Sequence, residues 1–302
     1  MARFDDLVLR TLPYVPRPVM WRVAKRYVAG ERLEDAIRAL SELRERQHPG
    51  IIDVLGEDVS GEAQSRAVVE EYKQAAEAVV AARVDAYVSV KPTHLGLRSS
   101  EKLCLELYRD LAAFCAARKL FLRVEMEDHT TTDATLRVFE ALRPDFANVG
   151  IVLQSRLKRT LGDIQNLAPG PLDVRMVKGI YLEPAQIAHT EPEPIRAAYV
   201  ECVRALWKRN ASISLATHDE RMAAQCFALL PEFGPNKPRY ELQVLMGVME
   251  HLWARWKNAG HTVRVYVPFG PQWLPYSLRR LRKNPQMLRH VMRASLGLSR
   301  LG

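Results

Sequence analysis

The chain has 302 residues, 48% hydrophobic and 26% charged, which excludes disorder of the whole and leaves room for one large core or two smaller ones. Its 44 Lys and Arg against 35 Asp and Glu give a formal charge of +9, a field that favours anionic partners. The excess is spread along the chain without a long basic tail, so nucleic-acid binding is not expected.

The first 48 residues carry Pro13, Pro16 and Pro18 and then helical periodicity at Ile37, Leu40 and Leu43; they read as an N-terminal helical extension, 1–48, packed outside the main domain of 49–302. From residue 51 the pattern changes to short apolar runs alternating with helical stretches. IIDVL (51–55) precedes a helix over 62–84, AYVSVK (86–91) a helix near 99–118, FLRVEME (121–127) one near 131–143, and VGIVLQ (149–154) a short one near 156–166. The alternation continues with DVRMVKG (173–179) and 193–209, SISLATHD (212–219) and 219–230, YELQVL (240–245) and 247–259, and TVRVYVPFG (262–270) with a helix from about 272. Each strand is a nearly continuous apolar run, as parallel strands covered on both faces require, and eight such units predict an α/β fold: a (β/α)8 TIM-type barrel with extra N-terminal helices. An open doubly wound sheet is the alternative. No stretch is apolar enough to span a bilayer, no leader pattern is seen, and Cys104, Cys115, Cys202 and Cys226 sit apart in apolar helical stretches, so a cytoplasmic protein with reduced cysteines is expected.

Barrels of this kind react at the C-terminal ends of their strands. Those ends are polar here: Lys91, then Glu125, Glu127 and Asp128, then Gln154, Lys178, then Thr217, His218 and Asp219, then Gln243, with Tyr266 in the last strand. Arg175 lies inside an apolar strand and must be paired, either structurally with a carboxylate such as Glu125 or functionally against a cofactor ring. Lys91 and Asp128 end neighbouring strands and are expected to bridge at the mouth. His218, with Asp128, His129 and Asp219, raises a metal-dependent hydrolase, but the ligand spacing is not that of a zinc site; Glu125 and Glu127 raise a glycosidase without a clear opposing acid. After the last strand, Tyr276, Arg279, Arg280 and Lys283 fall at i, i+3, i+4 and i+7 on one helical face, where paired guanidinium forks suit a small carboxylate. Neither GxGxxG nor GxxxxGK[ST] occurs, so a nucleotide-type cofactor would bind across the barrel mouth.

Taken together, VSVK (88–91), VEMED (124–128) with DATL (133–136), VGIVLQ (149–154), VRMVKGIYLEP (174–184), LATHD (215–219), ELQVLMGV (241–248), VRVYVPFG (263–270) and YSLRRL (276–281) resemble the proline dehydrogenase family. The resemblance implies FAD-dependent oxidation of L-proline to Δ1-pyrroline-5-carboxylate by hydride transfer to flavin N5, with electrons passed to a quinone acceptor, as the first step of proline catabolism to glutamate. It implies that Lys91, Arg279 and Arg280 bind the proline carboxylate, that Asp128 fixes Lys91, and that Tyr266, Tyr276, Tyr181 and Leu245 surround the ring. It implies Arg175 near flavin N5, Gln154 at the pyrimidine edge, and Lys178, Gly179, Ile180, Thr217, His218, Gln243 and His129 around the rest of FAD; no metal is implied. Peripheral contact at the inner face of the membrane suits the quinone and the positive charge. Ile180 stands where related sequences usually carry Ala, Lys283 where they carry Glu, and 187–196 lacks the Thr-Lys motif of the adenine end.

Overall fold

The computed structural model describes residues 16–59, 61–234 and 238–283, with the side chains at 19 and 279–283 outside that description. Two helices come first, α1 (Arg17–Ala24) and α2 (Leu33–Glu45). Then follow β1 (Gly50–Val54), α3 (Glu62–Ala81), β2 (Ala86–Val90), α4 (Glu101–Ala117), β3 (Leu122–Val124), α5 (Thr132–Leu142), β4 (Val149–Gln154) and α6 (Thr160–Asn166). The second half holds β5 (Asp173–Val177), α7 (Pro192–Lys208), β6 (Ser212–Ala216), α8 (Glu220–Phe227), β7 (Tyr240–Leu245), α9 (Glu250–Asn258), β8 (Val263–Phe269) and α10 (Trp273–Lys283). The strands are parallel, pair in chain order and close through β1 on β8, with Gly50 opposite Val265 and Val54 opposite Phe269.

The predicted closure follows from burial on both faces: every residue of β1, β2 and β4 is buried, so no strand face is left to water and the sheet must be covered outside and filled inside. The covering comes from amphipathic helices. α3 buries Val68, Val69, Tyr72, Ala75, Ala76 and Val79, and α4 buries Cys104, Leu107, Tyr108, Leu111 and Cys115. All four cysteines are free and buried.

The two ends of the chain depart from the expected arrangement. α2 does not lie outside the domain: it packs on β8 and β1, and Ala36, Leu40 and Leu43 belong to the main core. It comes so close that a Cβ on Gly50 would meet Leu40 Cδ2 at 2.1 Å. α10, the helix after the last strand, packs instead on α1. Three boundaries also shift for local reasons. β3 stops at Val124, and the acids that follow turn their side chains to other elements. The helix expected from 156 starts at Thr160, because residues 156–158 bond across to 187–189. The helix expected to reach 230 ends at Phe227 and gives way to a 3-10 turn, Leu230–Phe233, whose Pro231 has no N–H to continue it.

Candidate active site

Inside the barrel the polar residues form one connected network centred on Arg175. Its Nε donates to Gln243 Oε1 at 2.6 Å, its Nη2 to Tyr87 Oη at 3.2 Å and its Nη1 to Ser89 Oγ at 3.3 Å, and Nη1 also forms an ion pair with Glu125. The Tyr266 ring lies 5.3 Å from the guanidinium carbon, and Tyr266 Oη donates to Glu125 at 3.3 Å. Burial alone would weaken the Arg175 charge, yet Glu125 and Tyr87 outweigh it and hold the guanidinium firmly protonated. Glu125 is the mirror case: burial pushes its carboxyl up, but Arg175 and Lys91 pull it below the usual range. The structural partner considered from the sequence is therefore the one found. Gln243 lies within β7, buried beside Arg175, deeper than the rim position read from the sequence.

Lys91 does not bridge to Asp128. Its ammonium donates to both oxygens of Asp53 at 3.0 and 2.9 Å, a fully buried carboxylate one residue before the end of β1. Burial disfavours the Lys91 charge, but Asp53 and Glu125 more than offset that and raise it; on Asp53 burial is the stronger influence and raises its carboxyl despite Lys91. Asp128 lies four residues beyond the end of β3, on the rim. There it accepts from Arg98 at 2.7 Å, from Thr130 N at 2.9 Å and from the Thr130 hydroxyl. Burial is the largest single influence and raises its carboxyl, but the hydrogen bonds from Thr130 and Arg98 together outweigh it and hold the carboxyl below the usual range.

The opposite side of the mouth is built by β4 to β7. Gln154 donates to the Glu127 carbonyl at 2.6 Å, while the Glu127 carboxylate is occupied by Thr93 N and Oγ1 at 2.9 and 2.8 Å. Gly179, at φ +96°, turns the chain so tightly over Gln154 that a Cβ there would meet Gln154 Oε1 at 2.6 Å. Lys178 and Arg196 share Asp219 Oδ2 at 2.5 and 2.6 Å; burial would raise that carboxyl, but these two cations bring it down to about 2. Thr217 Oγ1 accepts from Asp219 N at 2.9 Å, and His218 Nε2 accepts from Leu245 N at 3.1 Å, which fixes the imidazole with its other nitrogen protonated. Among the described residues no cluster of His, Cys, Asp and Glu is arranged to hold a metal.

Around the rim, His129 is held by Glu183 through its backbone N–H at 3.0 Å and through its ring. Tyr181 stands over the acids: burial first, then Glu127 and Glu125, raise its phenol well above the usual value. Ile180 and Leu182 beside it are exposed, 58% and 82%. Tyr276, on α10, is partly buried with its ring 6.4 Å from that of Tyr27. The side chains of Arg279, Arg280 and Lys283 lie outside the described residues.

Asp53, Ser89, Tyr87 and Arg98 join the site although the sequence reading did not assign them there. Asp53 carried a usable signal: a lone acid inside the apolar run IIDV, open to the same pairing argument that singled out Arg175.

A closed parallel barrel whose strand ends converge on a buried, charge-paired polar network is the layout of a (β/α)8 enzyme. Residues 36–293 match the family described as Proline dehydrogenase. A proline dehydrogenase of Deinococcus radiodurans is 35% identical over 285 residues, 93% of this chain and 92% of that protein. Proline dehydrogenase 1 of Bacillus subtilis is 28% identical over 90% of each chain. The chain belongs to the proline dehydrogenase family. In fold it is similar to the proline utilization A structure from Bdellovibrio bacteriovorus inactivated by N-propargylglycine, with TM-score 0.81 and 22% identity; the likeness covers 90% of this chain and 34% of that one.

Proposed function

We propose that the chain oxidises L-proline to Δ1-pyrroline-5-carboxylate with FAD as cofactor, the first step of proline catabolism, and that a quinone receives the electrons. The observation that carries the reading is the pair of buried cations inside one barrel, Lys91 and Arg175, both influencing the single carboxylate Glu125.

The donor set fits FAD. Arg175, Gln154, Lys178 and His218 supply hydrogen-bond donors and positive charge along β4 to β6, Gly179 keeps the backbone low over Gln154, and Ile180 offers an exposed apolar face beside them. Arg175, Gln154, Lys178, Gly179, Ile180, Thr217, His218, Gln243 and His129 would hold it. When bound, the flavin supplies the two-electron acceptor; the chain supplies everything that orients the substrate.

Lys91, braced by Asp53, would supply one cation for the carboxylate, and Arg279 and Arg280, whose side chains lie outside the described residues, are the guanidinium forks proposed to grip it with Lys91. Tyr266, Tyr276, Tyr181 and Leu245 give the pyrrolidine ring a wall with little freedom to shift, so the carbon next to nitrogen is presented in one orientation. Arg175 keeps its charge at every working pH because Glu125 stabilises it, and a fixed cation there favours a reduced, negatively charged acceptor. Asp128, anchored by Arg98 and Thr130, which hold its carboxyl below the usual range, acts as a fixed negative charge on the rim. The cytoplasmic setting, with peripheral membrane contact where the quinone resides, belongs to the same reading; among the described residues no helix is long and apolar enough to cross a membrane.

The variant Arg280→Met tests the carboxylate grip. Loss of one charge-assisted contact should raise the KM for proline by about 10- to 100-fold with bound FAD unchanged. A wild-type KM would remove α10 from substrate binding.

A further inference from the structure

We infer that Tyr87 is a positioning residue for the oxidation, acting through Arg175 from the side of the barrel opposite the mouth, and that Glu241 completes the support by fixing the amide of Gln243. The inference rests on the reading that Arg175 faces the flavin.

Behind the Arg175 layer the barrel holds a second set of charges. Tyr87, Glu241 and Arg264 are each the second residue of their strand, in β2, β7 and β8, so they lie toward the closed end. Arg264 Nε donates to both oxygens of Glu241 at 2.9 and 3.0 Å, and its Nη1 donates to the Gly50 carbonyl at 3.1 Å and to Asp85 at 3.0 Å. Arg123, in β3, donates to Asp173 at 2.6 Å. The Tyr87 ring packs against both guanidinium groups, 5.0 Å from that of Arg264 and 5.7 Å from that of Arg123, and meets Phe121 edge to face at 5.3 Å. A ring with three such neighbours keeps its hydroxyl in one place.

That hydroxyl joins the two layers. Tyr87 Oη accepts from Gln243 Nε2 at 2.7 Å and from Arg175 Nη2 at 3.2 Å. Gln243 spans the same gap, because its Nε2 also donates to Glu241 at 2.6 Å while its Oε1 accepts from Arg175 Nε at 2.6 Å. A carboxylate only accepts, so Glu241 requires the NH2 end of the amide and leaves the oxygen for Arg175. The reversed amide would set N–H against N–H at Arg175 Nε.

The guanidinium carries five N–H bonds in one plane. Four are taken by Gln243, Tyr87, Ser89 and Glu125. The remaining one, on Nη2, is the bond available to a cofactor, and Tyr87 sets its direction by holding its twin. Without the Tyr87 hydroxyl, Nη2 loses that acceptor in a buried place, where an unpaired donor is costly, and the guanidinium re-aims toward another. The cation is then displaced from the flavin, and the stabilisation that a fixed charge gives the reduced form falls.

The test uses the FAD-loaded enzyme with Tyr87→Phe, which removes one oxygen and keeps the packed ring. The midpoint potential of the bound flavin, measured by anaerobic equilibration with a reference dye, should fall by about 30 mV, a tenfold weaker preference for the reduced form in a two-electron couple. The kcat should fall about tenfold, with the KM for L-proline and the bound FAD within about twofold of wild type. Glu241→Gln, which lets the Gln243 amide turn either way, should lower the potential as well. In an Arg175→Met background Tyr87→Phe should leave the potential where Arg175→Met put it, because a residue that acts through Arg175 has nothing left to place. An unchanged potential in Tyr87→Phe, or an equal shift with and without Arg175, would overturn the inference. If Tyr87→Phe does not fold, Glu241→Gln decides by the same criteria. Where Arg175→Met does not retain FAD, Tyr87→Phe combined with Glu241→Gln replaces it: a joint shift no larger than the greater single one is expected, and full addition contradicts a shared route. Arg175→Met also separates the two levels: if it keeps the wild-type potential, the placing of Arg175 at the flavin fails; if it lowers the potential and Tyr87→Phe does not, the positioning role alone fails.

Discussion

At the scale of single residues, the site depends on buried charges that are tolerable only in pairs. Asp53 and Lys91 illustrate the rule, since each is almost fully withdrawn from water and each is the other's nearest compensation. Lys91→Met alone should destabilise the fold by about 3 kcal/mol, because it strands a buried carboxylate. The double variant Asp53→Asn with Lys91→Met should recover most of that stability, measured by denaturant unfolding, while proline affinity remains lost. Equal destabilisation in the single and double variants would show that Asp53 has another role. The pairing also shows where sequence reasoning stops. Lys91 and Asp128 were matched because they end neighbouring strands, but β3 stops at Val124, and the extra residues carry Asp128 out to Arg98. Order along the chain gives which strands adjoin; it does not give the height of a side chain along the barrel axis. Arg175 was legible because a guanidinium inside an apolar strand leaves no choice but a partner in the barrel.

At the scale of elements, the strands were the most legible part and the connections the least. VGIVLQ was read to the residue as β4, and YELQVL as β7; β4 is buried throughout and β7 in its Leu242–Val244 centre, the pattern of strands covered on both faces. Helix placement was less legible: α2 and the last helix both show amphipathic periodicity, and periodicity says that a face is buried without saying against what. Hence the ring position of α2 and the packing of α10 on α1 emerge only from the fold. The N-terminal segment also comes close to Gly247, after β7. At φ +68°, this glycine lies so close to the segment following α1 that a Cβ would meet the Arg26 carbonyl oxygen at 1.7 Å. Gly247→Ala should therefore cost at least about 2 kcal/mol of stability, through an unfavourable backbone conformation and a displaced neighbour. A thermal midpoint equal to wild type would mean that this contact is readily relieved.

For the whole molecule, the closed barrel provides the rigid wall on which the polar network is built. β1 to β8 and the residues just after them hold Asp53, Lys91, Glu125, Arg175 and Gln243 in a closed sheet whose strands cannot shift independently, and the N-terminal segment packs on α10 in a second, smaller core. The net charge of +9 favours ligands that carry anionic groups, a carboxylate or a phosphate alike, without choosing between them. What the composition left open was decided by position: cations inside the barrel, acids bracing them, and an apolar lip at Ile180 and Leu182. The most direct measurement is the absorbance spectrum of the purified protein under anaerobic conditions before and after addition of L-proline. A flavin spectrum that bleaches on addition of L-proline and not D-proline is predicted; a protein loaded with FAD whose spectrum L-proline leaves unchanged, or one that cannot bind FAD, would contradict the account.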